Sequence, residues 1–427
     1  MTKALLWQLF SLLKRKESFW LPTVYFTRGL PYVIVFLLSS IFFNRMGLSN
    51  GDITLLTSFF FLPLILRPLL GRLVSSFFRK RYWILLMQLV MAFSMYGVAW
   101  ASLSKHAKWL SILFFFITAA AAVVHDVAVA RIYKLSRVYR RTKILNPLSF
   151  FLMLSLVLGM SLPLALAGNM EVISRNVSTA WQKVFYALSF VFLVFFVYHA
   201  FVIPAYQGKA PVAIGEGLTQ RWWNETRKTF MQLPHYVALL AFLFFFLIPE
   251  GMFFRIAPLF FIDPGSNGGL SFSPQELGLV YGSVGGLAAL MGCAVGIKTI
   301  QRFSFERSLW LMTCAITFPK LLYIYLSFHF VTTLSVVNVC VAIERFGFGF
   351  GIMAYVFLLI YCSQGRYSTF RYSVASAIAA FSAMLSGWFT GVLQENVGYQ
   401  RFFVLVALVN LLPFIVVFFL RKGKANH

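Results

Sequence analysis

Charged side chains stand near the middle of four long hydrophobic runs in this chain. They are Arg28 in the first run, Asp126 in the fourth, Glu250 and Arg255 in the seventh, and Glu344 and Arg345 in the tenth. An ionisable group in hydrocarbon costs on the order of 3 kcal/mol even on a lenient insertion scale, so it faces a partner or a water-filled cavity. Each residue type offers a chemistry there. A carboxylate in a poorly hydrated cavity can gain and lose a proton near neutral pH. A guanidinium can hold an anion through two parallel hydrogen bonds. An acid that alternates between an arginine-paired and a protonated state would couple proton entry to binding of an anionic solute. The expected proton-coupling residues are therefore Asp126, Glu250 and Glu344, and the expected substrate-binding residues are Arg28, Arg255 and Arg345. The same side chains also fit static ion pairs that hold helices together.

Other residues invite a role less directly. His125 adjoins Asp126, a pairing that suggests a proton relay. Adjacent helical residues point about 100° apart, so only one of the two need face a cavity. Arg67 and Lys320 fall near helix ends and are expected to snorkel. Tyr25, Tyr355 and Trp388 could stack on a sugar or ring, against a background of Phe spread over every run. Gly278, Gly282 and Gly286, and again Gly347 and Gly351, recur at four-residue spacing, which lets helices approach closely. The run that holds the first three is expected to be a gating or inter-bundle helix.

The elements that must position these groups are membrane helices. Twelve runs can be drawn, at about 20–43, 52–71, 82–102, 109–130, 146–168, 183–206, 235–262, 275–297, 308–329, 332–362, 371–394 and 400–420. Each is long enough to cross a bilayer core as a helix. The polar stretch 207–234 divides them, which predicts an N-terminal six-helix bundle at 1–206, a cytoplasmic linker at 207–234 and a C-terminal six-helix bundle at 235–427. The halves echo one another: GRLVSSFFRKR (71–81) follows the second run and GIKTIQRFSFER (296–307) follows the eighth. In transporters built of repeated three-helix units, the first helix of each unit lines the cavity. That set is one, four, seven and ten, the runs that carry the charges. At about 1.5 Å per residue, Arg28 and Asp126 both come to the inner half of the membrane, where they can pair.

Composition agrees with this class. Hydrophobic residues make up 60% of the chain, charged residues 11%, and mean hydropathy is +0.81. A soluble domain cannot hide so much apolar surface, and the alternating ten-residue strands of an outer-membrane barrel are absent from the sequence. The net charge of +25 is not a nucleic-acid signature, because Lys and Arg crowd alternate loops in short runs that abut the helices. Counting them gives roughly 26 inside against 6 outside and places both termini in the cytoplasm. The first fifteen residues read as an amphipathic stub with no cleavage site, so the first run stays as an anchor. Cys293, Cys314, Cys340 and Cys362 all lie in runs without a Cys-x-x-Cys pair and read as packing residues. Asn-x-Ser/Thr matches at Asn176 and Asn224 are at chance level. Hydrolase, zinc-protease, phosphate-loop and ATP-binding motifs are missing, so neither an enzyme nor a cofactor or metal is expected.

Several stretches carry a resemblance. RGLPYVIV (28–35), LILRPLLGR (64–72), HDVAVARIYKL (125–135), FSPQELGLV (272–280), QRFSFERSL (301–309) and the segment 343–404 beginning IERFGFGFGIMAY together resemble the major facilitator superfamily, and within it the AmpG-type muropeptide permeases. The wider group also includes acetyl-coenzyme A transporters and some siderophore permeases. The resemblance implies that Asp126 falls on the group's first aspartate of the fourth span, Glu250 on the aspartate of the seventh and Glu344 on the glutamate of the tenth. A second aspartate in the fourth span is Ala130 here, Gly71 stands where an acid ends the second span, and Arg28 and Arg255 replace small residues.

The expectation is an all-α polytopic membrane protein with twelve transmembrane helices in two pseudo-symmetric six-helix bundles. It would act as a monomeric, proton-coupled symporter in the bacterial inner membrane, importing a small anionic solute such as a muropeptide-like cell-wall fragment by alternating access. Its partners would be that solute, protons and the lipid bilayer, with no nucleic acid. One alternative keeps the fold and changes the cargo to a siderophore or other organic anion. The other is a membrane scaffold or lipid-handling protein that transports nothing.

Overall fold

A computed structural model describes residues 19–77, 79–104, 107–135, 148–204, 236–303, 305–364 and 368–415, with isolated positions between 220 and 231 and at Val417. The amphipathic stub, most of the linker 207–234, the basic loop 136–147 and the C-terminal basic residues lie outside the described residues.

The described chain is helical, as the runs predict. Helix α1 is Leu21–Arg45, opened by Pro22 in its first turn and widened by a π turn at Ile34–Leu38. Helix α2, Asn50–Ile65, is capped by Ser49, whose hydroxyl accepts from the Asp52 amide at 3.1 Å. It meets helix α3, Arg67–Val74, at a 46° bend. Pro63 and Pro68 flank that bend and supply no amide hydrogen, which is why the helix breaks there. Helices α4 (Lys80–Ala101), α5 (Ala107–Leu135), α6 (Ser149–Ser174) and α7 (Val177–Val202) follow. Helix α8 is Leu239–Ile262 and α9 is Pro274–Arg302. The start of α9 is a capping box in which Ser273 and Glu276 bond each other's amides, and a π turn occupies Gly278–Val284. Helix α10, Arg307–His329, contains a 3₁₀ turn at Phe318–Lys320 around Pro319. Helix α11 is Leu334–Cys362 and α12 is Ser368–Ile415.

Ten helices are long and apolar enough to cross a membrane, and eleven if α2 and α3 count as one span, among the described residues. The last, α12, is 48 residues long, about 72 Å at 1.5 Å per residue and more than twice the hydrocarbon thickness. Gly398, at φ 76°, interrupts its helical backbone. Division of α12 at that glycine would bring the number of segments from eleven to the expected twelve, which the ten or eleven counted helices do not themselves reach.

The chain forms two compact units. The first comprises 1–39 and 69–214, the second 40–68 and 215–427. In the first, Trp20, Tyr25, Trp83, Ile132 and Tyr133 share one buried cluster. Helix α1 lies so close on α6 that a Cβ at Gly29 would stand 2.1 Å from the Ser155 hydroxyl. In the second, interlocked aromatic rings fill the interior: Phe253 meets Tyr323 at 4.7 Å and Phe260 meets Phe403 at 5.2 Å. Residues 40–68 join this second unit because Asn50, Thr54 and Ser58, one face of α2, lie on Gly391 and Gly387 of α12.

Glycines also set the α9–α11–α10 contacts. A Cβ at Gly292 would meet the Phe346 carbonyl at 2.1 Å, and one at Gly347 the Ala315 carbonyl at 2.2 Å. Gly347 and Gly351 thus pack as their spacing predicts. On α9 the tight approaches are at Gly285, Gly292 and Gly296, while Gly278 and Gly282 lie in the π turn.

Candidate functional site

In the first unit, Arg28 and Asp126 meet. The Nε of Arg28 donates to Asp126 Oδ1 from α1 to α5. Asp126 is buried, whereas the Arg28 side chain keeps 21% of its surface exposed. The guanidinium lies 5.5 Å from the Tyr25 ring, and Tyr25 stands edge-on to Tyr133. The acid is thus enclosed, whereas its cation is partly exposed. Beside it, Arg131 donates to the Gly71 carbonyl. The position where the resemblance expects an acid side chain is served by backbone instead.

The second unit holds two further pairs. Lys320 Nζ donates to Glu250 Oε1 and, at 3.0 Å, to Asn410 Oδ1. Arg345 Nε donates to Glu344 Oε2 at 2.7 Å, and its guanidinium lies 4.3 Å from the Tyr281 ring. Phe253 stands between the two cations, 5.3 Å from Lys320 and 6.0 Å from Arg345. The two pairs act on one another electrostatically through Glu250, Glu344 and Arg345.

The expectation that Lys320 snorkels is corrected. Lys320 is 2% exposed and ion-paired. It sits in the 3₁₀ turn halfway along α10, about 20 Å from Arg307 at 1.5 Å per residue, too deep to reach an interface. Arg67 is buried too, over the Tyr372 ring at 5.1 Å. Burial of a lone carboxylate in this unit would be costly, and Lys320 is the partner that offsets it for Glu250.

Arg255 is placed differently from the other expected arginines. Its Nη1 donates to the Ala383 carbonyl at 2.8 Å, the Ser386 hydroxyl at 3.2 Å and the Gly251 carbonyl at 3.4 Å. Nη2 is buried without a hydrogen-bond partner among the described residues. No carboxylate among them pairs with it, and the Phe61 ring covers the guanidinium at 5.0 Å. Glu250 and Glu344 are thus each ion-paired, with Lys320 and Arg345, while Arg255 on the same helix as Glu250 has no carboxylate partner among the described residues.

A polar cluster at the end of α8 went unnoticed in the sequence. Asp263 accepts from Asn44 Nδ2 at 2.5 Å, Asn50 Nδ2 at 2.8 Å and the Tyr399 hydroxyl at 2.5 Å. Gln394 Oε1 accepts from Asn50 at 2.8 Å, and Glu395 Oε1 accepts from the Gly51 amide at 2.7 Å. The carboxyl precedes Pro264 and Gly265 and reads as a loop residue; only the fold of 40–68 onto α12 buries it. Of the three candidate stacking residues, Tyr25 underlies Arg28, Tyr355 is buried with its hydroxyl on the Leu243 carbonyl at 2.9 Å, and Trp388 is exposed.

Helices, apolar composition and buried pairs at this spacing meet a clear counterpart among known proteins. The sequence profile described as Major Facilitator Superfamily matches residues 23–367. The chain belongs to the Major Facilitator Superfamily. As a member it is a multi-pass membrane transporter and not an enzyme. A putative transporter AmpG 2 of Rickettsia typhi is 20% identical over 193 residues, 45% of this chain and 46% of that relative. The match thus spans about half the length of the relative. Among solved structures, a POT family transporter in complex with a thioalcohol-conjugated peptide superposes with a TM-score of 0.71 at 10% identity, covering 94% of this chain and 96% of that one. A D-xylose–proton symporter superposes with a TM-score of 0.63 at 14% identity, over 91% and 95% of the two chains. At these identities the superpositions speak for the fold alone.

Proposed function

We propose that this superfamily member is a proton-coupled symporter that imports a small anionic solute, with a muropeptide-like cell-wall fragment as the cargo. Asp126, Glu250 and Glu344 take up the coupling proton. Arg28, Arg255 and Arg345 bind the solute. The observation that carries the reading is the charge arrangement: three acids each engaged by a cation, and Arg255 engaged by none. A buried guanidinium with an open Nη2 is stabilised by an incoming carboxylate, which supplies both the missing charge and the missing acceptor.

The coupling follows from the pairs. Protonation of Asp126 removes the charge that holds Arg28, so Arg28 is free to engage an anion; departure of the anion restores the pair and returns the proton. Glu250 and Lys320, and Glu344 and Arg345, can cycle in the same way. The bundles 1–206 and 235–427 would alternate access, with 207–234 as the cytoplasmic linker, both termini in the cytoplasm of a bacterium and a monomer in the inner membrane. The resemblance of the sequence to the AmpG-type muropeptide permeases favours the cell-wall cargo. The arginines in place of small residues at 28 and 255 favour a second reading, a siderophore or other organic anion with more than one acidic group.

Uptake of labelled anhydro-muropeptide into proteoliposomes tests the proposal, with and without an inward proton gradient. Gradient-driven uptake that Asp126→Asn and Arg255→Gln both abolish supports cargo and mechanism together. No uptake by folded wild-type protein removes the cell-wall cargo and directs the same assay to siderophores and simpler organic anions.

A further inference from the structure

One end of the first unit, the cytoplasmic end in the proposed orientation, gathers cations without acids. Asp126, already held by Arg28, is the sole acid in the sequence between Asp52 and Glu171. Arg131 lies on α5, near its end at Leu135, and Lys80 opens α4. The two stand close enough for their like charges to act on one another, and no carboxylate among the described residues acts on either. Arg81, next along α4, turns to α7 and donates to the Ala200 carbonyl.

Neither cation is satisfied. A guanidinium has five N–H donors, and Arg131 engages one nitrogen, Nη2, with the Gly71 carbonyl. Its Nε is buried without a hydrogen-bond partner among the described residues. Lys80 has no hydrogen-bond or ion-pair partner among them either. The start of α4 adds to the cost. Arg79, Lys80 and Arg81 stand where the helix dipole is positive, with no side-chain cap and no acid in the first turn. Two like charges held together, one of them with an enclosed donor left over, are stabilised by an anion that accepts from both.

We propose that Arg131 and Lys80 form a binding site for the phosphate of an anionic phospholipid. The group is a phosphodiester monoanion, as in phosphatidylglycerol, and its two unesterified oxygens accept from the Arg131 guanidinium and from Lys80 Nζ. The level of the site favours a lipid over free phosphate. Lys80 and Arg131 stand where the apolar runs of α4 and α5 end, which is the depth of the headgroups. In the sequence Phe77 and Tyr82 flank Lys80, both half exposed, as aromatic side chains are at a membrane interface. The Trp83 indole holds this turn, donating to the Phe77 carbonyl at 2.8 Å. Basic pockets between helices at the cytoplasmic side take anionic headgroups.

Gly71 offers a way to neutralise the site from within. A Cβ there would meet Arg131 Nη2 at 3.8 Å, an ordinary contact, with nothing nearer among the described residues. A carboxylate at this position therefore reaches Arg131 without displacing backbone, and it would take the guanidinium in place of the phosphate. The basic loop after α9 in the second unit provides a control. Lys298 and Arg302 are exposed there, and neither has an enclosed nitrogen without a partner.

Native mass spectrometry on full-length, delipidated protein in detergent tests the site. The probes are phosphatidylglycerol, phosphatidylcholine with the same chains, and inorganic phosphate. Wild type should bind phosphatidylglycerol in preference to phosphatidylcholine, and millimolar phosphate should not displace it. Arg131→Gln and Lys80→Gln should each weaken that binding by about fivefold. Gly71→Asp should weaken it too while raising the unfolding temperature of the lipid-free protein, which a damaged fold would lower. Lys298→Gln with Arg302→Gln should leave the binding unchanged. Equal binding of the two lipids overturns the proposal, as does an equal loss from the Lys298 and Arg302 substitutions, the result of net charge alone. Displacement by phosphate assigns the site to a free anion and overturns the lipid. Neither solute nor orientation enters the measurement, so its result is independent of the proposed transport.

Discussion

Gly387 has no side chain where the guanidinium of Arg255 lies. A Cβ at that position would stand 2.4 Å from Arg255 Cζ and 2.0 Å from the Ser58 hydroxyl. The glycine makes the space in which a buried arginine rests between α2, α8 and α12. Gly387→Ala should therefore displace Arg255 and cost about 1–3 kcal/mol by overpacking. Thermal unfolding in detergent gives the stability loss. Solute affinity should fall with it, while Gly387→Ala at unchanged affinity would place the anion elsewhere.

Glu250 and Lys320 should be interdependent. Removing one partner leaves a buried charge uncompensated, at about 3–5 kcal/mol, whereas replacing both with neutral side chains avoids that cost. Glu250→Gln and Lys320→Met are each expected to destabilise strongly, and the double variant to unfold at a higher temperature than either. Additive losses in that cycle would mean that the two side chains do not interact.

Asp126→Asn should separate coupling from binding. The amide cannot be ionised, so accumulation against a gradient is expected to stop. Exchange of labelled for unlabelled solute across the vesicle membrane needs no net proton movement and should persist. Loss of both would make Arg28–Asp126 a structural pair.

Asp263 accepts from three side chains, two of them in the segment 40–68. Asp263→Ala leaves Asn44, Asn50 and Tyr399 without that acceptor and should cost about 3 kcal/mol, given roughly 1–3 kcal/mol for each buried group left unsatisfied. Cross-linking of cysteines placed on α2 and α12 should report the loosened contact as a lower yield. An unchanged yield would show that the glycine packing alone holds α2 there.

Some of this was legible in the sequence and some was not. Helix positions follow from apolar length, and depth arithmetic places Arg28 and Asp126 both in the inner half of the membrane, so their pairing can be anticipated. The partner of Glu250 cannot. Lys320 enters the interior because Pro319 breaks α10 halfway along, and the phase of a 3₁₀ turn is not written in hydropathy. Asp263 sits before Pro264 and Gly265, where a loop is the natural reading, and its burial depends on a contact with residues more than two hundred positions away in the sequence. The hydrogen bonds that join His125, Gln88, His199 and Thr23 depend likewise on the rotations of four helices, of which the sequence exposes only the His125–Asp126 neighbour pair. Local chemistry was visible; the company it keeps was not.

The π turn at Ile34–Leu38 has a genealogical side. Such a turn holds one residue more than an α turn, so the parts of α1 on either side are phased as though a residue had been inserted between them. A relative that lacked this residue would keep nearly the same helix length but present its arginine face turned by about 100°. Within this helix, a single-residue gap in an alignment would therefore mark a rotation of Arg28 away from Asp126, and two chains that differ by that one residue would differ in which carboxylate their first helix meets.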